Sequence, residues 1–193
     1  MEDEFVTREK KILSIVKQEI EDGEEMAVAV RHMAERMLLG EKGYAPSDIE
    51  TKVSFNVTLG KETVTSFVDF LVSSGSRHAM VIKCAAGSLS SRERHVVAAA
   101  RVLESPPVPI AVVIDPMSAV VLDTATEKVI GEGFDGIPSK QELSGLLAGR
   151  ESKPLAPEKL EREKRVLLAF DAIRCCVPQG AEGGVALDKV QDK

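Results

Sequence analysis

A chain of 193 residues, 44% hydrophobic and 29% charged, is long enough for one domain with a proper core and has the make-up of a soluble protein. No apolar run reaches the roughly 18 residues a membrane span needs. The acidic start "MEDEFVTREK" also lacks the order of a secretory signal, so a cytoplasmic location is expected. A net charge of −6 argues against strong non-specific attraction to nucleic acid, and any phosphate contact needs a local basic surface.

The predicted elements begin with a helix over residues 7–22, where Ile12, Ile15, Val16 and Ile20 share a face before Gly23. A second helix spans 24–39; Val30, Met33, Ala34, Met37 and Leu38 recur at the spacing of a buried stripe. "GEKGYAP" stops it. Three strands follow: "KVSFNVT" at 52–58, "TVTSFVDFLV" at 63–72 and "HAMVIKC" at 78–84. The turns between them, "LGKE" and "SSGSR", are short, so the strands are antiparallel neighbours.

"AAGSLSS" is a small-residue loop with Ser90 or Ser91 as helix cap, and the helix "RERHVVAAARVLES" ends before Pro106 and Pro107. "VPIAVVID" is continuously apolar, as in a strand covered on both faces. "AVVLDTATEKVIGEG" supplies a strand, a polar turn and a short closing strand. Beyond Ile137 the character changes. "PSKQELSGLLAG" is a short helix and "ESKPLAPEK" a connector. "LEREKRVLLAFDAIRCC" is an amphipathic helix with Leu160, Val166, Leu167, Phe170 and Ile173 as its docking face. The charged, glycine-rich tail after Pro178 frays. The expected division is 1–137 as an α/β domain, 138–178 as a helical extension and 179–193 as a disordered tail. The order of elements predicts α/β layers around a mixed sheet.

Three cysteines are an odd number, which favours reduced thiols; Cys84 reads as a small buried hydrophobe, and Cys175 and Cys176 have no partner at metal-ligand spacing. His32, His78 and His95 are dispersed, without a Ser-His-Asp pattern. Seven aromatic residues and no Trp leave little for base stacking.

The motifs "RHMAERMLLGEKGYAPSDIE", "VDF", "VIK" and "PIAVVIDPMSAVVLDTATEKVI" carry a family likeness. Residues 24–133 resemble the N-terminal domain of type I restriction enzyme R proteins, which belongs to the PD-(D/E)xK nuclease superfamily. The resemblance implies a restriction-endonuclease-like fold: a mixed β-sheet flanked by helices, here with additional C-terminal helices. It also implies a Mg²⁺-dependent DNA endonuclease in which a strand Asp and the Glu of ExK hold the ion and the lysine positions the attacking water. Asp69 matches the strand acid and Lys83 the lysine. Val81 stands where the second acid belongs, and since residues i and i+2 share a strand face, the site is one carboxylate short.

Several residues have a plainer role as well. Asp69, inside an apolar strand, needs a partner such as Lys83 or an arginine. Lys83 also suits an exposed edge strand. Glu93, at the start of the next helix, is the candidate for a relocated metal ligand beside Asp69, although Arg92, Arg94 and His95 around it favour a surface ion pair. Glu35 is more simply the i,i+4 partner of Arg31. Ser88, Ser90, Ser91, Arg92 and Arg94 gather where a helix start suits a phosphate, so they are the candidate DNA contacts; ordinary capping explains them too. The expected function is a nuclease-related domain, weakly active or inactive, that binds nucleic acid or a partner. The alternatives are an active Mg²⁺-dependent DNase whose second acid comes from Glu93 or another subunit, and a protein-interaction module. In the latter the two amphipathic terminal helices would hold a protein partner or a second copy.

Overall fold

Six strands form one mixed sheet whose spatial order is their sequence order. They are β1 (Ile49–Leu59), β2 (Glu62–Ser74), β3 (Arg77–Cys84), β4 (Ile110–Ile114), β5 (Ala119–Asp123) and β6 (Val129–Glu132). The structure, a computed structural model, describes residue 23 and residues 25–86, 89–150 and 153–175, with side chains as far as Asp171. The expected helix over 7–22 and the tail after Pro178 lie outside the described residues.

Two tight turns make β1, β2 and β3 an antiparallel meander. Each turn needs a left-handed residue, which Gly60 (φ 63°) and Gly75 (φ 65°) supply without a Cβ penalty. Helix α2 (Ser90–Leu103) then carries the chain back, so β4 runs parallel to β3. β5 and β6 complete the sheet as antiparallel additions. Among the described residues, no helix is long and apolar enough to cross a membrane.

Each face of the sheet has its own core. Met80 and Ile82 of β3 and Ile110, Val112 and Ile114 of β4 face helix α1, residues 25–40. The α1 stripe is as its spacing predicts: Val30, Ala34, Met37 and Leu38 are buried and Met33 packs against them. The short helix α3 (Lys140–Leu147) adds Leu143 to this side. It starts with a capping box in which Glu142 accepts from the Ser139 amide at 2.8 Å. On the other face, Val81, Ala111 and Val113 pack against Val96 and Val97 of α2 and Leu167 of helix α4 (Pro157–Cys175). Helix α4 lies along α2 and reaches across β1 and β2.

Two helix starts differ from expectation. Ser90 and Ser91 are the first residues of α2 rather than its cap; Leu89 holds the cap position and makes no side-chain capping bond. Helix α4 starts at Pro157, ahead of Leu160, because proline suits a first helical turn that needs no amide donor.

The β1–β2 ladder contains one interruption, and it falls at Asp69. Thr51 pairs with Phe70 and Val53 with Val68, but Lys52, opposite Asp69, has φ 53° and leaves the ladder. The alternation of β2 slips there: Val68 packs on the α2 face, whereas Phe70 and Val72 pack on the α1 face. A kink of this kind re-aims the side chains around it.

Candidate functional site

Asp69 and Lys83 lie on neighbouring strands. Phe70 pairs with Ile82 and Leu71 with Val81, so continuing the register brings Asp69 beside Lys83. Both are nearly buried, 4% and 6% exposed. Lys83 is therefore a residue of an interior strand and not of a sheet edge, as one reading of the sequence had it.

The Asp69 carboxylate has a partner for each oxygen. Oδ1 stands 3.2 Å from Nε of Arg31 on α1, and Oδ2 accepts a 2.7 Å hydrogen bond from the Cys84 amide. Arg31 thus reaches the sheet instead of Glu35, its expected partner. A buried carboxylate held by a guanidinium and a backbone N–H is stable as an anion without any other cation. Cys84 feels the same charge: burial first, and Asp69 second, push its thiol pKa up, so it stays protonated. The packing of Cys84 against the α1 core agrees with its reading as a small hydrophobe.

Val81 shares the strand face of Lys83 and is fully buried among the apolar residues of the α2 face. Lys83 continues that face. Its ammonium sits 4.6 Å from the Phe67 ring centroid and 3.4 Å from Nε2 of His95 on α2. His95 Nε2 is also 3.1 Å from Oδ1 of Asp171 on α4, and the imidazole stacks on Phe170 at 4.8 Å. Lys83 can only donate to this nitrogen and Asp171 can only accept from it, so Nε2 lies between a cation and an anion. Burial holds the His95 pKa below its ordinary value and the Lys83 charge adds to this, outweighing the bond to Asp171. For Asp171, burial pushes the pKa up, but the His95 bond and the charge of Lys83 leave it net lowered. The result is a buried lysine and aspartate bridged by a neutral histidine.

Helix α4 brings a second acid to α2. Glu163, 1% exposed, lies 3.0 Å from Arg101 and 2.6 Å from Arg94. Arg101 also donates to the carbonyls of Thr124 and Ala125 and pairs with Glu127. The sequence reading saw only the apolar face of α4. Leu167 is buried and Val166 partly so, but Glu163 and Asp171 lie on the docked side too. Glu163 and Leu167 at i,i+4 were the available signal, an acid in register with the apolar stripe.

The expected phosphate surface is divided. Arg94 is engaged by Glu163, while Arg92 is half-buried and Ser90 and Ser91 are exposed on the first turn of α2. Ser88 lies outside the described residues. Glu93 is half-buried in the same turn. Among the described residues, no group of three or more His, Cys, Asp or Glu side chains is placed to hold a metal ion.

The six-stranded mixed sheet, with helices on both faces and an acid and a lysine on adjacent central strands, defines a restriction-endonuclease-like α/β domain. The chain belongs to the family described as type I restriction enzyme R protein N terminus (HSDR_N), whose model matches residues 24–138, more than half of its length. Helices α3 and α4 lie beyond the match. No curated protein and no solved structure matches the chain.

Proposed function

We propose that this chain is a nuclease-fold domain that does not hydrolyse phosphodiesters and works by binding. The observation that carries this reading is the engagement of Asp69: Arg31 meets one carboxylate oxygen and the Cys84 amide the other. Mg²⁺ needs oxygen ligands arranged octahedrally and gives up its water reluctantly. Here the one matched acid already has a counter-charge, and position 81 offers a methyl surface. The residues present do not fit the ion. Lys83, packed under His95 and Phe67, lacks the open approach that a water-positioning lysine requires. Glu93 as a relocated acid has no support beyond its place in the chain.

Affinity for DNA, in this reading, resides at the amino end of α2 in Ser90, Ser91 and Arg92, where the positive end of the helix dipole and a guanidinium suit phosphate. A cytoplasmic location belongs to the same proposal. The test is calorimetric titration of the full chain with Mg²⁺ and Mn²⁺, beside a plasmid-cleavage assay. The expected result is neither binding heat nor cleavage. Metal-dependent cleavage abolished by Asp69→Asn would overturn the reading, and loss with Glu93→Gln would assign the second acid to α2.

A further inference from the structure

At the opposite end of the sheet from Lys83 lies a cavity of about 430 Å³, framed by the start of β3, the loop before β4, the turn after β5 and the connector into α4. That volume is within the range of small-molecule sites. Arg77 opens β3 at this end, and Lys83 lies six residues further along the strand, about 20 Å away at the rise of a β-strand. The cavity is therefore separate from the nuclease-like position and does not rest on the function proposed above.

Its lining is unusual for an acidic protein. Five cationic side chains face one carboxylate, Asp123. That acid is already engaged: Arg150 holds it at 2.6 Å, and Thr126 donates to it from its amide and hydroxyl. Arg101, in the wall, is matched by Glu127 and Glu163. The lining is then left net positive by Arg77 and by Lys159, whose charge also reaches Glu127. These two come from different elements, β3 and the first turn of α4, and converge on one space.

Two further observations point to an anion with an organic body. Helix α4, 19 residues long, begins at the cavity wall, with Ala156 and Lys159 in the lining, so its amino-terminal amide groups add partial positive charge there. The remaining surface is apolar, from Pro107, Pro109, Pro154 and Leu155. Such walls suit a flat or aliphatic group and give a bare inorganic ion nothing to bury.

We propose that this cavity binds a small organic phosphate, with the phosphate between Arg77, Lys159 and the start of α4, and the organic part against the proline-lined wall. The test uses the full chain, with adenosine monophosphate, adenosine and inorganic phosphate as probes, read by calorimetry and thermal shift. The monophosphate is expected to bind and raise the melting temperature, inorganic phosphate to bind more weakly, and adenosine least. Arg77→Ala and Lys159→Ala should each weaken the monophosphate about tenfold, the contribution of one charge-assisted hydrogen bond, while the unliganded melting temperature stays the same. Neither side chain is buried, so both variants should fold. Equal affinity for inorganic phosphate and the monophosphate would overturn the organic-phosphate assignment. Absence of binding by every probe at millimolar concentration, or binding unchanged in both variants, would overturn the site.

Discussion

Glu163 of α4 and Arg101 of α2, each 1% exposed, form an ion pair at 3.0 Å beneath a helix that lies outside the family match. Arg94 closes on the other oxygen of Glu163 at 2.6 Å. Removing Glu163 leaves Arg94 without its acid and the buried Arg101 with Glu127 alone. Glu163→Ala is therefore expected to cost about 3–5 kcal/mol in urea denaturation, while Glu161→Ala, on the exposed side of the same helix, should cost well under about 1 kcal/mol. Equal effects from the two would mean that α4 is not docked through its acids.

The same contact separates the roles of Arg92 and Arg94, two arginines with a single residue between them. Arg94→Ala should lower stability by about 1–2 kcal/mol, because Glu163 loses one of its two partners. Arg92→Ala should leave stability unchanged and weaken DNA binding for all sequences alike, with a shallower salt dependence. A fluorescence-anisotropy titration at several salt concentrations, with melting curves on the same samples, checks both. If Arg92→Ala binds DNA like the wild type, the amino end of α2 is not the DNA surface.

Restoring the missing acid should not restore a metal site. Val81→Glu places a carboxylate in a fully buried apolar position, which should destabilise by about 3 kcal/mol or more. Because Asp69 is engaged by Arg31 and the Cys84 amide, Mg²⁺ and Mn²⁺ should leave the melting temperature of a folded Val81→Glu protein where it was. Chelator should likewise leave the wild-type melting curve unchanged. A metal-dependent rise in the variant would show that positions 69 and 81 converge after all.

Two histidines should make stability fall on both sides of neutrality. For His78, burial lowers the pKa, but its bonds to Glu104 and Glu50 prevail and raise it above the ordinary 6.5. Its contribution is complete below about 6.5 and is lost as pH rises through the raised folded value. His95 has the opposite sign: with its folded pKa lowered, it contributes nothing adverse above 6.5 and destabilises the fold as pH falls below that. Denaturation curves from about pH 5 to about pH 8 should show the alkaline slope reduced in His78→Gln and the acid slope reduced in His95→Gln. Unchanged slopes in either variant would contradict the assigned sign for that residue.

What could be read from the sequence divides along one physical line. The α1 stripe, the apolar β4 and the order of strands were legible because burial on one face imposes a local period on the residues themselves. Short motifs singled out Asp69, Val81 and Lys83, which the fold places on β2 and β3. Their partners were not legible. Arg31 reaches Asp69 across the sheet–helix interface, where its i,i+4 spacing suggested Glu35, and a local pairing rule cannot see a tertiary competitor. Asp171 and Glu163 did not stand out on an amphipathic helix, because the groups that bury them lie on α2 and β3. The basic cavity escaped notice for the same reason, since Arg77 and Lys159 are distant in the chain and meet only in the fold.

The left-handed residue at Lys52 also has a bearing on how copies of this protein meet one another. β1 is the outermost strand of the sheet and eleven residues long, so one full row of its amide and carbonyl groups faces outward. A flat strand of that length is a template onto which a second chain can add, and from which aggregates grow. The kink interrupts that row at the fourth of its eleven residues, and an exposed lysine stands at the break. The strand then no longer offers its full length as one straight run for a neighbour to zip along. The irregularity that aims Asp69 inward therefore also helps to keep the outer strand from recruiting other chains.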